Sequence, residues 1–161
     1  MRKDLQGRIH FKIVFWGPSL SGKTTALRWI YDNVEGLDRG GFTSVQDNTG
    51  RTLFFDYTPM QATAQVVFDV YTVAGQRRHR GQRKVILTGV DGIIFVADSS
   101  PDQMEENISS MSELRSFIGD DLGHSVSLVV MLNKQDLQNA MDKAVMLAKL
   151  GLGNVPNFTT C

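Results

Sequence analysis

Gly17-Pro18-Ser19-Leu20-Ser21-Gly22-Lys23-Thr24 is a glycine, four residues, then Gly-Lys-Thr, and its flanks decide what that spacing means. Upstream, Ile9 to Trp16 reads Ile-His-Phe-Lys-Ile-Val-Phe-Trp, alternating at first and then continuously apolar, as in a strand entering a buried sheet position. Downstream, Ala26, Leu27, Ile30, Tyr31 and Val34 recur at spacings of three and four until Gly36 stops them. Strand, glycine loop and helix in that order make a phosphate-binding loop. The glycines let backbone amides converge on phosphate oxygens, and the helix N-terminus adds positive potential. Lys23 supplies a mobile cation for the outer phosphates, and the Thr24 hydroxyl suits Mg²⁺. Gly17, Ser19, Leu20, Ser21, Gly22, Lys23, Thr24 and Thr25 are the expected phosphate contacts. The structural alternative is a plain glycine-containing turn.

Further along, Gly36 to Asn48 has three glycines and no apolar period, which predicts a long exposed connection of functional use. Thr52 to Tyr57 and Val66 to Val73 read as two strands of an antiparallel hairpin turning around Thr58-Pro59-Met60. Val85-Ile86-Leu87 looks like the apolar part of a short helix, and Gly92 to Ala97 is an apolar strand ending at Asp98. Helical spacing follows through Met104, Ile108, Met111, Leu114 and Ile118, stopped by Gly119. Val126 to Leu132 is another apolar strand, Met141 to Leu150 another helix, and Val155 to Phe158 begins a last strand. Apolar strands alternating with amphipathic helices give an α/β class: a mostly parallel sheet covered on both faces, with the hairpin adding one antiparallel edge strand. Residues 1–161 are expected to form a single domain.

Composition agrees and narrows the choices. With 42% hydrophobic and 21% charged residues among 161, the chain is neither disordered nor fibrous. Seventeen basic residues balance seventeen acidic ones, so there is no global attraction to nucleic acid or to an anionic membrane. Cys161 alone supports neither a disulfide nor a zinc cluster. No signal peptide, long apolar run, myristoylation glycine or CaaX box is present, so the expected place is the cytoplasm, without a direct membrane anchor. His10, His79 and His124 are too scattered for a metal site, and Arg77, Arg78, Arg80, Arg83 and Lys84 read as a solvated or partner-facing surface.

Three further segments carry chemistry. Asn133-Lys134-Gln135-Asp136 follows a buried strand, where ligands bind a parallel sheet. The Asp136 carboxylate can accept from both guanine N1–H and the exocyclic amine, a donor pair adenine lacks, so Asn133, Lys134 and Asp136 are read as guanine contacts. In Thr72-Val73-Ala74-Gly75-Gln76, Gly75 stands where a switch glycine amide meets a γ-phosphate and Gln76 where a glutamine orients the attacking water. A polar turn is the alternative. Thr52, after the long connection, is the natural second Mg²⁺ ligand, or else an ordinary strand threonine.

With these motifs in this order, the chain resembles a small Ras-like GTPase over nearly its whole length, that is, a P-loop NTPase with a Ras-like G domain. Within that superfamily it is most similar to the bacterial MglA GTPases of gliding motility and cell polarity. Gly17 to Thr25, Arg51 to Asp56 as Arg-Thr-Leu-Phe-Phe-Asp, and Thr72 to Gln76 as Thr-Val-Ala-Gly-Gln carry the likeness. The resemblance implies a GTP-binding switch that slowly hydrolyses GTP to GDP with Mg²⁺. It also implies an intrinsic arginine finger at Arg51, a slide of the strand Leu53 to Tyr57 on activation, and a homodimeric roadblock-fold partner of the MglB type. Such a partner could recruit the protein to a pole or membrane.

The chain departs from the common pattern in three places. Thr72 stands where most Ras-like proteins have an aspartate bonded to Mg²⁺-bound water, a replacement shared with the MglA group, and looser Mg²⁺ retention is expected. Asp69 cannot substitute, being three strand positions away on the opposite face. Ser19 replaces a common glycine, which is expected to slow hydrolysis further. Family members also continue into a final helix after the strand near Val155, so an uncovered apolar face is expected here. The rival readings are a non-hydrolysing guanine-nucleotide-bound scaffold and an ATP-using P-loop enzyme.

Overall fold

The computed structural model describes residues 1–46, 52–75 and 80–161, and the side chains of residues 45, 46 and 52–54 also lie outside that description. In chain order the elements are β1 Arg2–Lys3, β2 Ile9–Trp16, α1 Lys23–Asn33, β3 Asp38–Arg39, β4 Thr43–Gln46, β5 Thr52–Thr63, β6 Val66–Val73 and α2 Arg80–Leu87. They continue with β7 Gly92–Asp98, α3 Met104–Ile118, β8 Ser127–Asn133, α4 Lys143–Leu150 and β9 Asn157–Thr159.

Among the described residues, one sheet runs in the order β3-β5-β6-β2-β7-β8-β9, with β1 beside β2 and β4 beside β5. The pairings β6–β2, β2–β7, β7–β8 and β8–β9 are parallel. The hairpin β5–β6 is antiparallel, as expected, but β1, β3 and β4 are antiparallel as well. The single antiparallel edge strand was therefore too few. The 12 residues of β5 leave a long open ladder beyond the hairpin, and the segment expected to be an exposed connection supplies β3 and β4 to satisfy it.

The hairpin also turns later than the Thr58-Pro59-Met60 reading has it: the chain reverses at Ala64 and Gln65, and Pro59 lies inside β5, opposite Asp69. Proline is tolerated there because the carbonyl of Pro59 accepts from the Gly40 amide, on the side away from β6. The N–H and C=O of one antiparallel residue point the same way, so the missing N–H costs no β5–β6 bond. Gly40 lies against the Pro59 ring, where a Cβ would stand 2.3 Å from Cγ.

Helices cover both faces, which is why the central strands read as continuous apolar runs. Phe15, Leu27, Val70, Val96 and Met131 pack beneath α1. Val14, Trp16, Val73, Phe95, Leu114, Leu132 and Met146 pack with α2, α3 and α4 on the other face. α4 begins at Lys143, two residues later than the periodicity suggests, because the Asp142 carboxylate caps the amides of Ala144 and Val145. In α2, Leu87 is buried and Ile86 packs on the core as expected, but Val85 is 71% exposed while Arg83 is buried. Beside α1 lies a cavity of about 490 Å³ lined by Phe15, Trp29, Ile94, Met131 and Phe158.

Candidate nucleotide site

β2, β6, β7 and β8 run parallel, so the phosphate-binding loop, Gly75, Asp98 and Asn133 all gather at one end of the sheet, where such folds hold ligands. Backbone contacts dictate the glycines. A Cβ on Gly17 would stand 2.2 Å from the Val96 carbonyl, and one on Gly22, whose φ is +100°, would stand 2.1 Å from the Asn133 amide nitrogen. Gly22 is also the N-cap of α1 without any side-chain cap, and no acidic residue occupies the first turn. The first amides of α1 are thus left for an anion.

Lys23 is 6% exposed and curls over the loop, its Nζ donating to the carbonyls of Gly17 at 3.0 Å and Pro18 at 2.5 Å. Burial, followed by the charge of Arg83, pushes its ammonium down to about 7, against a smaller upward pull from Asp56. A polyphosphate beside it would favour the charged form. Leu20 has φ +61° and is 58% exposed, a left-handed position uncommon for leucine. Ser19 meets Gly75, where a Cβ would approach the Ser19 amide nitrogen to 2.4 Å. Ser21 is fully buried with its hydroxyl unpartnered, and Thr25 faces outward, along the cavity beside α1.

The hairpin register adds a residue that sequence reading missed. Asp56 lies opposite Thr72 in the β5–β6 ladder and is wholly buried. Its carboxylate accepts from Thr24 Oγ1, Thr72 Oγ1 and Ser44 Oγ, each at 2.5 Å. A carboxylate therefore reaches the ground where Thr72 leaves none. The signal was present in the hairpin, since Asp56 ends the Arg-Thr-Leu-Phe-Phe-Asp stretch, but pairing it with Thr72 required the true turn. Mg²⁺ takes oxygen donors, and this carboxylate among hydroxyls fits it. Thr52 begins β5, opposite Gln46, with its side chain outside the described residues. Arg51 and Gln76 also lie outside them.

At the other end of the pocket, Asn133 holds structure together. Its amide nitrogen donates to the Ser21 carbonyl at 2.9 Å and its oxygen accepts from Thr160 Oγ1 at 2.9 Å. Lys134, at φ +67°, stretches its ammonium to Asp98 at 2.6 Å. Gln135 turns inward to Ser99 Oγ and the Met141 carbonyl. Asp136 is exposed.

Arg83 is a second departure from expectation. Far from being solvated, it is 3% exposed, paired with Glu113 at 2.6 Å and set over the Trp16 ring at 5.3 Å. Glu113 on α3 faces α2, which draws the guanidinium inward. The opposite end of the sheet holds another charged group. There Asp69 accepts from Arg2 at 3.1 Å and Tyr57 at 3.0 Å and pairs with His10 at 2.8 Å, far from the phosphate loop.

A model of the ADP-ribosylation factor (Arf) family matches residues 1–160. The chain belongs to the Arf family of small GTPases. The mutual gliding-motility protein MglA of Myxococcus xanthus (strain DK1622) is 40% identical to this Arf-family chain over 157 residues, which is 93% of this chain and 80% of that protein. Among solved structures, the Arl6 (BBS3) small GTPase from Trypanosoma brucei with the bound nucleotide analogue GppNp covers 95% of this chain and 87% of its own. It has a TM-score of 0.67 and 20% identity, a likeness of fold. As an Arf-family member of MglA type, the chain is a guanine-nucleotide-binding switch that hydrolyses GTP to GDP.

Proposed function

We propose that this GTPase is a polarity or gliding-motility switch whose site uses Asp56 in the place usually held by an aspartate at position 72. The observation that carries the site reading is the Asp56 carboxylate bonded to both Thr24 and Thr72. Lys23 and the amides of residues 17–25 hold the phosphates, and the Gly75 amide meets the γ-phosphate. Thr24 and Thr52 would hold Mg²⁺, which would neutralise charge on the phosphate oxygens, and Asp56 would orient the Thr24 hydroxyl towards it. With that carboxylate in place, Mg²⁺ would be held more firmly than Thr72 by itself allows.

Asn133 braces the base pocket, Lys134 covers one face of the base, and Asp136 selects guanine. Gln76 positions the water and Arg51 neutralises transition-state charge once a partner orders its segment, so hydrolysis alone is slow. The partner is a homodimeric roadblock-fold protein of the MglB type. The role in motility or polarity rests on similarity to a protein named for gliding motility. The protein works in the cytoplasm and is brought to a pole or membrane by its partners.

Single-turnover GTP hydrolysis with and without a roadblock-type homodimer tests this reading. Stimulation is expected, and it is expected to disappear in Arg51→Ala. An unstimulated rate that Arg51→Ala leaves unchanged would favour the scaffold, and tighter ADP than GDP binding would remove the role given to Asp136.

A further inference from the structure

Gly75 must lie flat on the phosphate loop, since a Cβ there would stand 2.4 Å from the Ser19 amide nitrogen and 2.5 Å from the Pro18 carbonyl carbon. Glycine satisfies that contact, but it is also the residue with the widest choice of φ and ψ. Something else has to fix the direction in which its amide points. Behind it stands Arg83, whose Nη1 donates to the Gly75 carbonyl at 3.4 Å. The other side of the guanidinium is firmly held, by Glu113 at 2.7 Å and by the Trp16 ring. Towards the switch its hold is slack, a single long contact from Nη1 to Gly75. Hydrogen bonds beside the reacting groups often tighten only when the ligand arrives. Arg83, Glu113, Gly75 and Pro18 together line a cavity of about 380 Å³ between α2 and α3.

We propose that Arg83, anchored by Glu113 and Trp16, is a positioning residue that holds Gly75 against the phosphate loop and so sets the preference for triphosphate over diphosphate. The γ-phosphate is the group that differs between the two nucleotides and the group the Gly75 amide faces, so the clamp acts on one and leaves the other alone. This rests on the role given to Gly75 above. Lysine at 83 keeps a buried cation beside Glu113, but a single ammonium lacks the planar fork that serves Glu113 and the Gly75 carbonyl at once.

The test is the ratio of GDP to GppNp affinity, measured by titration on the full chain. For Arg83→Lys the expected result is an affinity for GppNp lower by about tenfold, as for a lost charge-assisted hydrogen bond, with GDP affinity held within about twofold. Glu113→Gln, which keeps the acceptor and loses the charge, is expected to move the ratio the same way by less and guards against a lysine variant that fails to fold. Equal losses for both nucleotides, or an unchanged ratio in folded variants, would overturn the assignment while leaving the nucleotide site intact. A wild-type chain binding neither nucleotide would overturn the site and this inference together.

Discussion

Asp56 makes the local chemistry testable one side chain at a time. Its carboxylate is already bonded to three hydroxyls in a fully buried position, so it is held in place before any ion arrives. Asp56→Asn is expected to weaken Mg²⁺-dependent GDP retention by roughly tenfold to a hundredfold, the usual cost of losing a group that orients a metal's ligands. The check is the GDP dissociation rate titrated against Mg²⁺. Thr72→Asp, which would restore the common aspartate, is expected to harm this protein. The new carboxylate would face Asp56 across the ladder where the hydroxyl now donates, placing two buried like charges together. Its melting temperature should fall by roughly 5 °C or more in a metal-free thermal scan, and recover in part with Mg²⁺.

At the scale of elements, Asp69 ties β1, β2, β5 and β6 through Arg2, His10 and Tyr57. Burial pushes its carboxyl up, but hydrogen bonds from His10, Tyr57 and Arg2 outweigh that and leave it below the ordinary value. A carboxylate lowered in the folded state stabilises fully above the ordinary value near about 4, and that contribution is lost as pH falls from there through the lower folded value. Urea midpoints should therefore drop on acidification below about pH 5 in the wild type and fall less steeply in Asp69→Asn, which starts from a lower midpoint. The same elements mark where the sequence was hard to read. Periodicity located α1 and α3, each of which buries one regular face, and apolar runs located β2, β7 and β8, which are covered on both faces. The turn was misplaced because Pro59, ordinarily a turn residue, sits in the gap between the β4 and β3 pairings. Those pairings join residues distant along the chain, and no local pattern announces them.

For the whole molecule, the glycine loop between strand and helix was enough to reach the class and the end of the sheet where the site lies. Asp56, the buried Arg83 and the inward role of Asn133 were not legible, since each depends on which strand or helix stands opposite. The two tryptophans report on how the layers close. Trp16 is fully buried, its Nε1 donating to the Ser110 carbonyl at 3.0 Å, while Trp29 is 62% exposed beside the open cavity. Acrylamide is expected to quench one fluorescence component readily and leave a blue-shifted one, and Trp29→Phe should remove the accessible component with little change in stability.

The bond from the Asn133 amide to the Ser21 carbonyl spans the two ends of the pocket, and the Gly22 backbone is pressed against that same amide. One jaw of the pocket thus cannot shift without dragging the other, as in a calliper set to a fixed gauge. A nucleoside and a free pyrophosphate, offered as separate pieces, should each help the other to settle.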